Sequence, residues 1–147
     1  MPEETFRDLN FTFVINPIDK ISKELRNGFR ETLSLVDKEI INYYFNIKHE
    51  NSINYVIKVN NFEIGYACLV EDEEYWNLYE IYIKKEFREL GLGTRLFNYI
   101  KKEIKNKKLR TYTLPGDRTA KNFYESNRIT ARILIMEDKR EGPRYRS

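Results

Sequence analysis

The stretch from Leu78 to Lys105 limits what this chain can fold into more than any other segment of its 147 residues. It opens with a run from Leu78 to Ile83 in which aromatic and β-branched residues dominate, as is typical of a β-strand. It closes with a run from Thr94 to Ile104 whose apolar residues recur at helix spacing. The sequence therefore predicts a strand, a glycine-containing turn and a helix in direct succession.

The turn of this stretch has the features of an anion site. A helix start leaves several backbone N–H groups unpaired, with the positive end of the helix dipole behind them, and such a start binds phosphate well. Gly91 and Gly93 would let backbone amides approach an oxygen without a Cβ in the way, and Thr94 can cap the helix. Arg88 and Arg95 add positive charge. The alternative is an ordinary turn in which glycine only satisfies the backbone geometry.

Two common phosphate-loop motifs do not fit this turn. No GxxxxGK[ST] string occurs in the chain, which excludes a Walker loop. The dinucleotide fingerprint GxGxxG fails because Leu96 stands where the third glycine is needed, and because a long segment separates Ile83 from Gly91.

The turn does match the spacing Arg-x-x-Gly-x-Gly, and a second motif follows it downstream. The segment DRTAKNFYESNRI, from Asp117 to Ile129, is similar to the pattern N-x-x-A-x-x-F-Y. With these two motifs in order, the chain resembles the GNAT family of N-acetyltransferases, in which the corresponding loop wraps the pyrophosphate of acetyl-coenzyme A (acetyl-CoA). The resemblance implies an enzyme that transfers an acetyl group from acetyl-CoA to a primary amine by direct attack in a ternary complex.

The resemblance also implies which residues bind acetyl-CoA. The pyrophosphate would be held by the backbone amides of Arg88, Glu89, Leu90, Gly91, Leu92, Gly93 and Thr94. The pantetheine arm would pair with the main chain of Ile81, Tyr82 and Ile83. Asp117 stands where the family often has an asparagine that bonds the cofactor, and an aspartate can accept that hydrogen bond but not donate one. Lys121 or Asn122 could help to hold phosphate.

Acyl transfer from a thioester to an amine needs two groups that handle protons. An alkylamine, with a pKa near ~10.4, attacks only when neutral, and a thiolate, with a pKa of about 8.5, leaves more easily beside a proton donor. The resemblance implies Glu80 as the base, directly or through water, and Tyr124 as the donor to sulfur. The alternatives are that Glu80 is the solvent-facing residue of its strand and that Tyr124 belongs to the core.

Two other functions stay open. One is a catalytically silent GNAT-like module that binds coenzyme A (CoA) or a protein partner. The other is a nucleic-acid-binding adaptor that works through the basic tail from Lys139 to Ser147, although a net charge of +3 with intermixed signs does not by itself indicate nucleic acid. No motif identifies the acceptor amine, and protein and small-molecule acceptors both remain candidates.

The whole chain is predicted to form one domain, residues 1–147, with loosely ordered ends at 1–9 and 139–147. The fold class is α/β (α+β), a mixed, mostly antiparallel sheet flanked by helices, in the order βααββββαβαβ. The predicted strands are Phe11 to Ile15, Tyr55 to Val59, Phe62 to Val70, Trp76 to Ile83, Leu109 to Leu114 and Ile129 to Glu137. The predicted helices are Asp19 to Arg26, Phe29 to Ile47, Thr94 to Ile104 and Arg118 to Glu125, the last capped by Asp117.

The resemblance implies a sheet that splays open after the family's fourth strand, here Leu78 to Ile83, with the cofactor in the gap. The family's last strand would be short, missing or supplied by Arg144 to Arg146. An open sheet edge there would favour a homodimer or protection by charge.

The remaining sequence patterns concern the location of the protein, metal binding, Cys68 and an acidic run. No stretch approaches ~18 consecutive apolar residues and no secretory pattern opens the chain, so we expect a cytoplasmic protein without a membrane span. His49 is the one histidine and no metal-ligand spacing occurs, so no metal is expected. Cys68 lies in an apolar strand and is expected to be buried. The acidic run from Glu71 to Glu74 is expected to be a solvated hairpin tip, or else to attract a cationic amine.

Overall fold

A computed structural model describes residues 3–8, 10–34, 36–46, 52–104, 106–114, 117–134, 136 and 138. His49, the tail from Lys139 onward and the proposed strand from Arg144 to Arg146 lie outside the described residues. The chain divides into two compact units, the first comprising Met1–Glu31 and Lys48–Tyr112, the second comprising Thr32–Ile47 and Thr113–Ser147. A single domain over residues 1–147 stays a prediction.

The first unit contains a six-stranded sheet in the order β1-β2-β3-β4-β5-β6. Its strands are β1 (Glu4–Asp8), β2 (Phe11–Ile18), β3 (Ser52–Val59), β4 (Phe62–Glu71), β5 (Tyr75–Ile83) and β6 (Lys108–Thr111). Neighbouring strands are antiparallel except for β5 and β6, which are parallel. The predicted class, a mixed and mostly antiparallel sheet with helices, is confirmed.

Of the helices that the structure describes, two belong to the first unit and two to the second. The first unit has α1 (Lys23–Glu31) and α3 (Leu92–Glu103), with a short 3-10 helix at Lys85–Phe87. The second unit has α2 (Lys38–Asn46) and α4 (Arg118–Ser126).

The helices α1 and α3 pack on opposite faces of the sheet. On one face, the ring of Phe29 in α1 meets that of Tyr66 in β4, with centroids 6.3 Å apart. On the other, Tyr99 of α3 meets Tyr55 of β3 edge to face, with centroids 5.3 Å apart. Tyr55 is the register partner of Ala67, and adjacent residues of a strand point to opposite faces, so Tyr66 and Tyr55 mark the two sides of the core. All four rings are buried.

Residues 1–9 were predicted to be loosely ordered, and that prediction is wrong over Glu4–Asp8, which form β1. β1 pairs with β2 through a turn at Asn10, which has a φ of 68°, and Phe6 stacks on its register partner Phe13 with ring centroids 5.2 Å apart. A five-residue polar segment with one aromatic residue carries little local strand signal, and β1 forms because β2 offers a partner edge. β2 also continues through Pro17, where β1 no longer pairs, so the missing N–H is tolerated.

The two N-terminal helices have other bounds than predicted because two polar residues cap them. Ser22 Oγ accepts a hydrogen bond from the N–H of Leu25 at 3.2 Å and starts α1. Asp37 Oδ1 accepts one from the N–H of Glu39 at 2.8 Å and starts α2. Apolar residues recur at helix spacing from Phe29 onward and across Asp37, so periodicity alone predicted one helix from Phe29 to Ile47. Instead, Phe29 belongs to the end of α1, and α2 begins after Asp37.

The hairpin turn between β3 and β4 and the cap of α4 form as predicted. Asn60 and Asn61 both have positive φ, 50° and 67°, as a two-residue hairpin turn requires. Asp117 caps α4 by accepting the N–H of Ala120 at 3.1 Å. The predicted order is wrong in three places. β1 precedes the first predicted strand, and three strands lie between α2 and α3 where the predicted order has four. The described residues after α4 form no strand.

The predicted last strand, Ile129 to Glu137, is therefore wrong over its described residues. Its apolar alternation favours a strand, but a strand also needs a hydrogen-bonded neighbour, and none pairs with it within the described residues. Ile133, Leu134 and Met136 are about 80% exposed, at 79%, 80% and 80%.

Candidate active site

The sheet opens into a fork between β5 and β6. These strands pair from Tyr75 with Lys108 to Leu78 with Thr111 and no further. From Tyr79 to Ile83, no described strand pairs with this edge of β5. The predicted splay after Leu78 to Ile83 begins within that strand, directly after Leu78. An edge of this kind presents backbone N–H and C=O groups to which an extended ligand can bind.

A β-bulge marks the point where the fork begins. On β4, the consecutive residues Cys68 and Leu69 pair with Glu80 and Leu78, which leaves Tyr79 as the extra residue of β5. Bulges disrupt the local ladder and re-aim side chains, and they are common next to active sites. Here the ring of Tyr79 stacks on that of Tyr112, with centroids 4.4 Å apart and an 11° angle between the ring planes.

The glycine turn places unpaired amides at the start of α3. Gly91 is the N-cap residue, with a left-handed φ of 74°, and its carbonyl accepts the first helical hydrogen bond from the N–H of Arg95 at 3.0 Å. The N–H groups of Leu92, Gly93 and Thr94 therefore have no acceptor within the helix. Thr94 lies inside α3 and no side chain caps the helix, so the predicted Thr94 cap is wrong. The cap position needs a left-handed backbone, and glycine adopts it without strain.

The two arginines of the turn have different surroundings. Arg88 stays beside the end of β5, where its Nε donates to the carbonyl oxygen of Ile83 at 2.9 Å and its guanidinium lies 5.6 Å from the centroid of the Tyr82 ring. Arg95 lies on α3 with its guanidinium 4.3 Å from the ring centroid of Phe6 in β1. Only Arg88 is thus held at the end of the open strand edge.

Glu80 is buried, with an exposed fraction of 1%. Its Oε1 accepts the hydroxyl of Tyr66 at 2.5 Å, and its Oε2 accepts Nη2 of Arg26 on α1 at 3.0 Å. Burial raises the pKa of this carboxyl, while the hydrogen bond from Tyr66 and the charge of Arg26 act in the opposite direction. The alternative that Glu80 faces solvent is wrong, and its role as base stays a prediction.

Sequence reasoning missed Arg26 and Tyr66. Arg26 lies 54 residues before Glu80 and Tyr66 lies 14 residues before it, so no local spacing links the three. Cys68, the register partner of Glu80, is buried as predicted, and burial raises the pKa of its thiol to about 12.

The other predicted site residues lie in the second unit. Tyr124 on α4 is 4% exposed, and its ring meets that of Phe123 at a centroid distance of 5.6 Å. Asp117 is occupied as the cap of α4, and burial raises its pKa while the N–H of Ala120 acts in the opposite direction. Lys121 and Asn122 are exposed on α4. The roles of these four predicted site residues, Asp117, Lys121, Asn122 and Tyr124, stay predictions.

Residues 50–127 match the family model of the acetyltransferase (GNAT) domain, which covers more than half of the chain. The chain belongs to the GNAT family of acetyltransferases. The matched range holds the fork, the glycine turn and the helix α4. No curated protein sequence matches this GNAT chain significantly.

Solved GNAT structures have the same fold. A GNAT family acetyltransferase from Elizabethkingia anophelis, with acetyl-CoA bound, is 24% identical, with a TM-score of 0.57 and coverage of 78% of this chain and 74% of that one. The aminoglycoside N-acetyltransferase AAC(6')-Iy in complex with CoA is 14% identical, with a TM-score of 0.62 and coverage of 88% and 96%. An aminoglycoside acetyltransferase from an uncultured soil metagenomic sample, meta-AAC0020 in complex with sisomicin, is 16% identical, with a TM-score of 0.59 and coverage of 89% and 97%.

Two further observations concern metals and membranes. Within the described ranges, no group of three or more His, Cys, Asp or Glu side chains could hold a metal ion. None of the helices that the structure describes is long and apolar enough to span a bilayer.

Proposed function

We propose that this GNAT protein is an N-acetyltransferase that moves an acetyl group from acetyl-CoA to a primary amine by direct attack in a ternary complex. The observation that carries the proposal is the continuity of the fork with the glycine turn. The unpaired edge from Tyr79 to Ile83 leads, through the segment of Arg88, to the unpaired amides of Leu92 to Thr94. A ligand with an extended amide-containing arm and a pyrophosphate at one end matches this arrangement.

The residues present fit acetyl-CoA. A Cβ added to Gly91 would meet no atom within 4 Å, so the backbone of the turn is open to a phosphate oxygen. The main chain of Ile81, Tyr82 and Ile83 would pair with the pantetheine arm, and the amides from Arg88 to Thr94 would hold the pyrophosphate. Acetyl-CoA supplies the thioester whose acetyl group is transferred.

Glu80 and Tyr124 would handle the protons. Burial raises the pKa of Glu80, which brings it closer to that of the attacking amine and makes the buried carboxylate a better proton acceptor. Since both carboxylate oxygens already hold a partner, the proton would reach Glu80 through the hydroxyl of Tyr66 or through water. Tyr124 would donate a proton to the departing sulfur.

Two observations favour a second candidate, a catalytically silent GNAT module that binds CoA or a partner. The buried carboxylate of Glu80 is held by the hydroxyl of Tyr66 and the guanidinium of Arg26, an arrangement that also suits a purely structural residue. Asp117, in place of the family's asparagine, is occupied as a helix cap. The two candidates differ in turnover but share the binding site for CoA.

We also propose a homodimer as the assembly state. Support comes from the large exposed side chains of Ile133, Leu134 and Met136, because large apolar side chains that are exposed close together in the chain are common at interfaces. A second observation is that β6 is the last strand of the sheet among the described residues. Light scattering of the full chain at micromolar concentration tests this, and a strictly monomeric mass at every concentration contradicts it.

Thermal unfolding with acetyl-CoA, ATP or NAD tests the cofactor assignment. A ligand at ~100-fold its dissociation constant adds about 2.7 kcal/mol to the folded state, which raises Tm by about 5–11 °C for a domain near this size. Gly91→Glu places a negative charge in the open space of the turn, and Gly91→Ala is the matched control with the same backbone strain and no charge. We expect acetyl-CoA alone to stabilise the wild type and the Ala variant, and not the Glu variant. A shift with all three ligands, or with none, refutes the assignment.

Release of free thiol during incubation with a panel of amines then tests turnover. The panel covers a peptide N-terminus, a lysine peptide, a polyamine, an amino sugar and an aminoglycoside, since two structural neighbours are aminoglycoside acetyltransferases. With a working acceptor, Tyr124→Phe should lower the rate by about 10²-fold or more. Binding of acetyl-CoA without thiol release for any amine supports the silent module.

A further inference from the structure

The stacked pair Tyr79–Tyr112 lies where the two strands of the fork separate. Leu78 and Thr111 are the last paired residues of β5 and β6. Tyr79 follows Leu78 within β5, and Tyr112 directly follows the end of β6. Their centroids are 4.4 Å apart and their planes are nearly parallel, so the rings are in contact across the gap. The inner end of the fork is therefore closed by aromatic side chains.

The direction of β5 decides which end of a bound acyl-CoA would approach this pair. β5 runs from Tyr75 to Ile83, and the phosphate-binding turn follows its C-terminal end. An arm that pairs with Ile81 to Ile83 and has its pyrophosphate at the turn points its thioester end back along the strand, toward Tyr79. From Ile83 to Tyr79 the strand extends by about 13 Å, which suits an extended pantetheine arm.

Tyr112 is held in position by hydrogen bonds that centre on the buried side chain of Asn77. The hydroxyl of Tyr112 donates to Oδ1 of Asn77 at 2.9 Å, and Asn77 is 3% exposed. Nδ2 of Asn77 donates in turn to the carbonyl of Val70 at 3.1 Å and to Oδ2 of Asp72 at 2.8 Å. Since Asn77 satisfies both of its amide donors and its acceptor in this way, moving the Tyr112 ring aside would leave a buried amide oxygen with one partner fewer.

From this geometry we propose that the Tyr79–Tyr112 stack is the end wall of the acyl site and restricts the enzyme to the acetyl group. The inference rests on the proposed function, because it needs an acyl-CoA in the fork. Longer acyl groups would have to displace a stacked and hydrogen-bonded ring. Neither tyrosine is among the site residues that the family resemblance implies.

The test is the binding of acetyl-CoA, propionyl-CoA and butyryl-CoA by titration calorimetry, with free CoA in parallel to separate effects on the acyl group from effects on the rest of the molecule. Because one methylene group in a tight pocket changes affinity by about 10-fold or more, wild type should bind butyryl-CoA at least ~10-fold more weakly than acetyl-CoA. Tyr79→Ala and Tyr112→Ala should both bring this ratio close to one. Having one alanine variant in β5 and one directly after β6 keeps the test valid if either fails to fold.

Two controls isolate the role of the ring. Tyr79→Phe keeps the stack and should keep the wild-type ratio. Tyr75→Ala removes a tyrosine from the same strand, at the other end of the segment that pairs with β6. The ring centroid of Tyr75 lies 3.7 Å from the guanidinium carbon of Arg110. This variant should also keep the wild-type affinity ratio.

If wild type binds butyryl-CoA as tightly as it binds acetyl-CoA, the inference is overturned. It is also overturned if the affinity ratio is unchanged in both alanine variants. Both results leave the proposed function standing, since CoA compounds still bind. Wild type that binds no CoA compound overturns the proposed function and this inference together.

Discussion

Replacing Arg26 by methionine should expose how much the buried Glu80 carboxylate depends on its charged partner. The change keeps the aliphatic part of the side chain and removes the guanidinium 3.0 Å from Glu80 Oε2. Removing one member of a fully buried ion pair costs roughly 3–5 kcal/mol. Because 39% of the Arg26 side chain is exposed and solvent already screens the pair, we expect a loss of about 2 kcal/mol in the free energy of unfolding. That loss corresponds to a fall in Tm of about 4–8 °C.

The cost of Arg26→Met should depend on pH in a defined direction. Burial raises the pKa of Glu80 above its ordinary value of 4.5 in the folded state, and removing Arg26 raises it further. A carboxyl with a raised folded-state pKa favours the folded state most below its unfolded pKa, and this contribution is lost as the pH rises through the folded pKa. Since the lost guanidinium matters only while Glu80 is ionised, the destabilisation should be largest near pH 8 and should shrink toward pH 5.

Lys84→Met is the matched control for this experiment. Lys84 follows β5 directly and pairs with Glu24 of α1 at 2.6 Å, so this pair also links α1 to the β5 region, but Glu24 is 75% exposed. An exposed pair of this kind is worth about 0–1 kcal/mol. Urea unfolding at pH 5, 6, 7 and 8 measures both variants. Two results would refute the idea that Arg26 compensates the buried charge of Glu80. One is a loss of unfolding free energy in Arg26→Met no larger than that of the control, and the other is a loss that does not change with pH.

Three further predictions follow from the same geometry. Tyr66→Phe removes the hydroxyl donor from the buried Glu80 carboxylate and should cost about 1–3 kcal/mol in urea unfolding, and an unchanged midpoint contradicts this. Asp117→Ala removes the side-chain acceptor for the N–H of Ala120 and should cost about 0.5–2 kcal/mol, whereas Asp117→Asn should retain most of the stability because asparagine caps equally well. The thiol of Cys68, buried and with a pKa raised to about 12, should not react with a thiol reagent at pH 8 until urea unfolds the chain, and rapid labelling of the folded protein refutes this.

The parts of the fold that the sequence predicts well are those whose signals lie within a few residues. The strand from Leu78 to Ile83, the turn at Gly91 and the helix after it each have their own local pattern, and all three form. Asn60 and Asn61 likewise specify their hairpin, because asparagine tolerates the positive φ that such a turn needs.

The parts of the fold that the sequence does not predict depend on residues far away in the chain, or on which of two neighbouring residues takes a given role. β1 exists because Phe6 meets Phe13 on a neighbouring strand, and no pattern in the segment itself indicates this. Thr94 and Gly91 both suit a helix start, and the choice of Gly91 follows from the left-handed backbone of the turn. The environment of Glu80 depends on Arg26, which lies 54 residues away in the chain. The alternation of residues along β5 therefore could not indicate that the Glu80 side chain is buried.

The bulge at Tyr79 explains how β5 can place the carboxylate of Glu80 beside Arg26 and also leave an unpaired strand edge. In β4, Cys68 faces the same side as Tyr66, which packs on α1, and Leu69 faces the opposite side. Without the extra residue, regular alternation from Leu78 would put Tyr79 on the α1 side and Glu80 on the other, away from Arg26. With it, Glu80 pairs with Cys68 and reaches Arg26, while Tyr79 is left outside the ladder and stacks at the inner end of the fork. One inserted residue therefore sets both the protonation environment of Glu80 and the position of the wall that we propose for the acyl site.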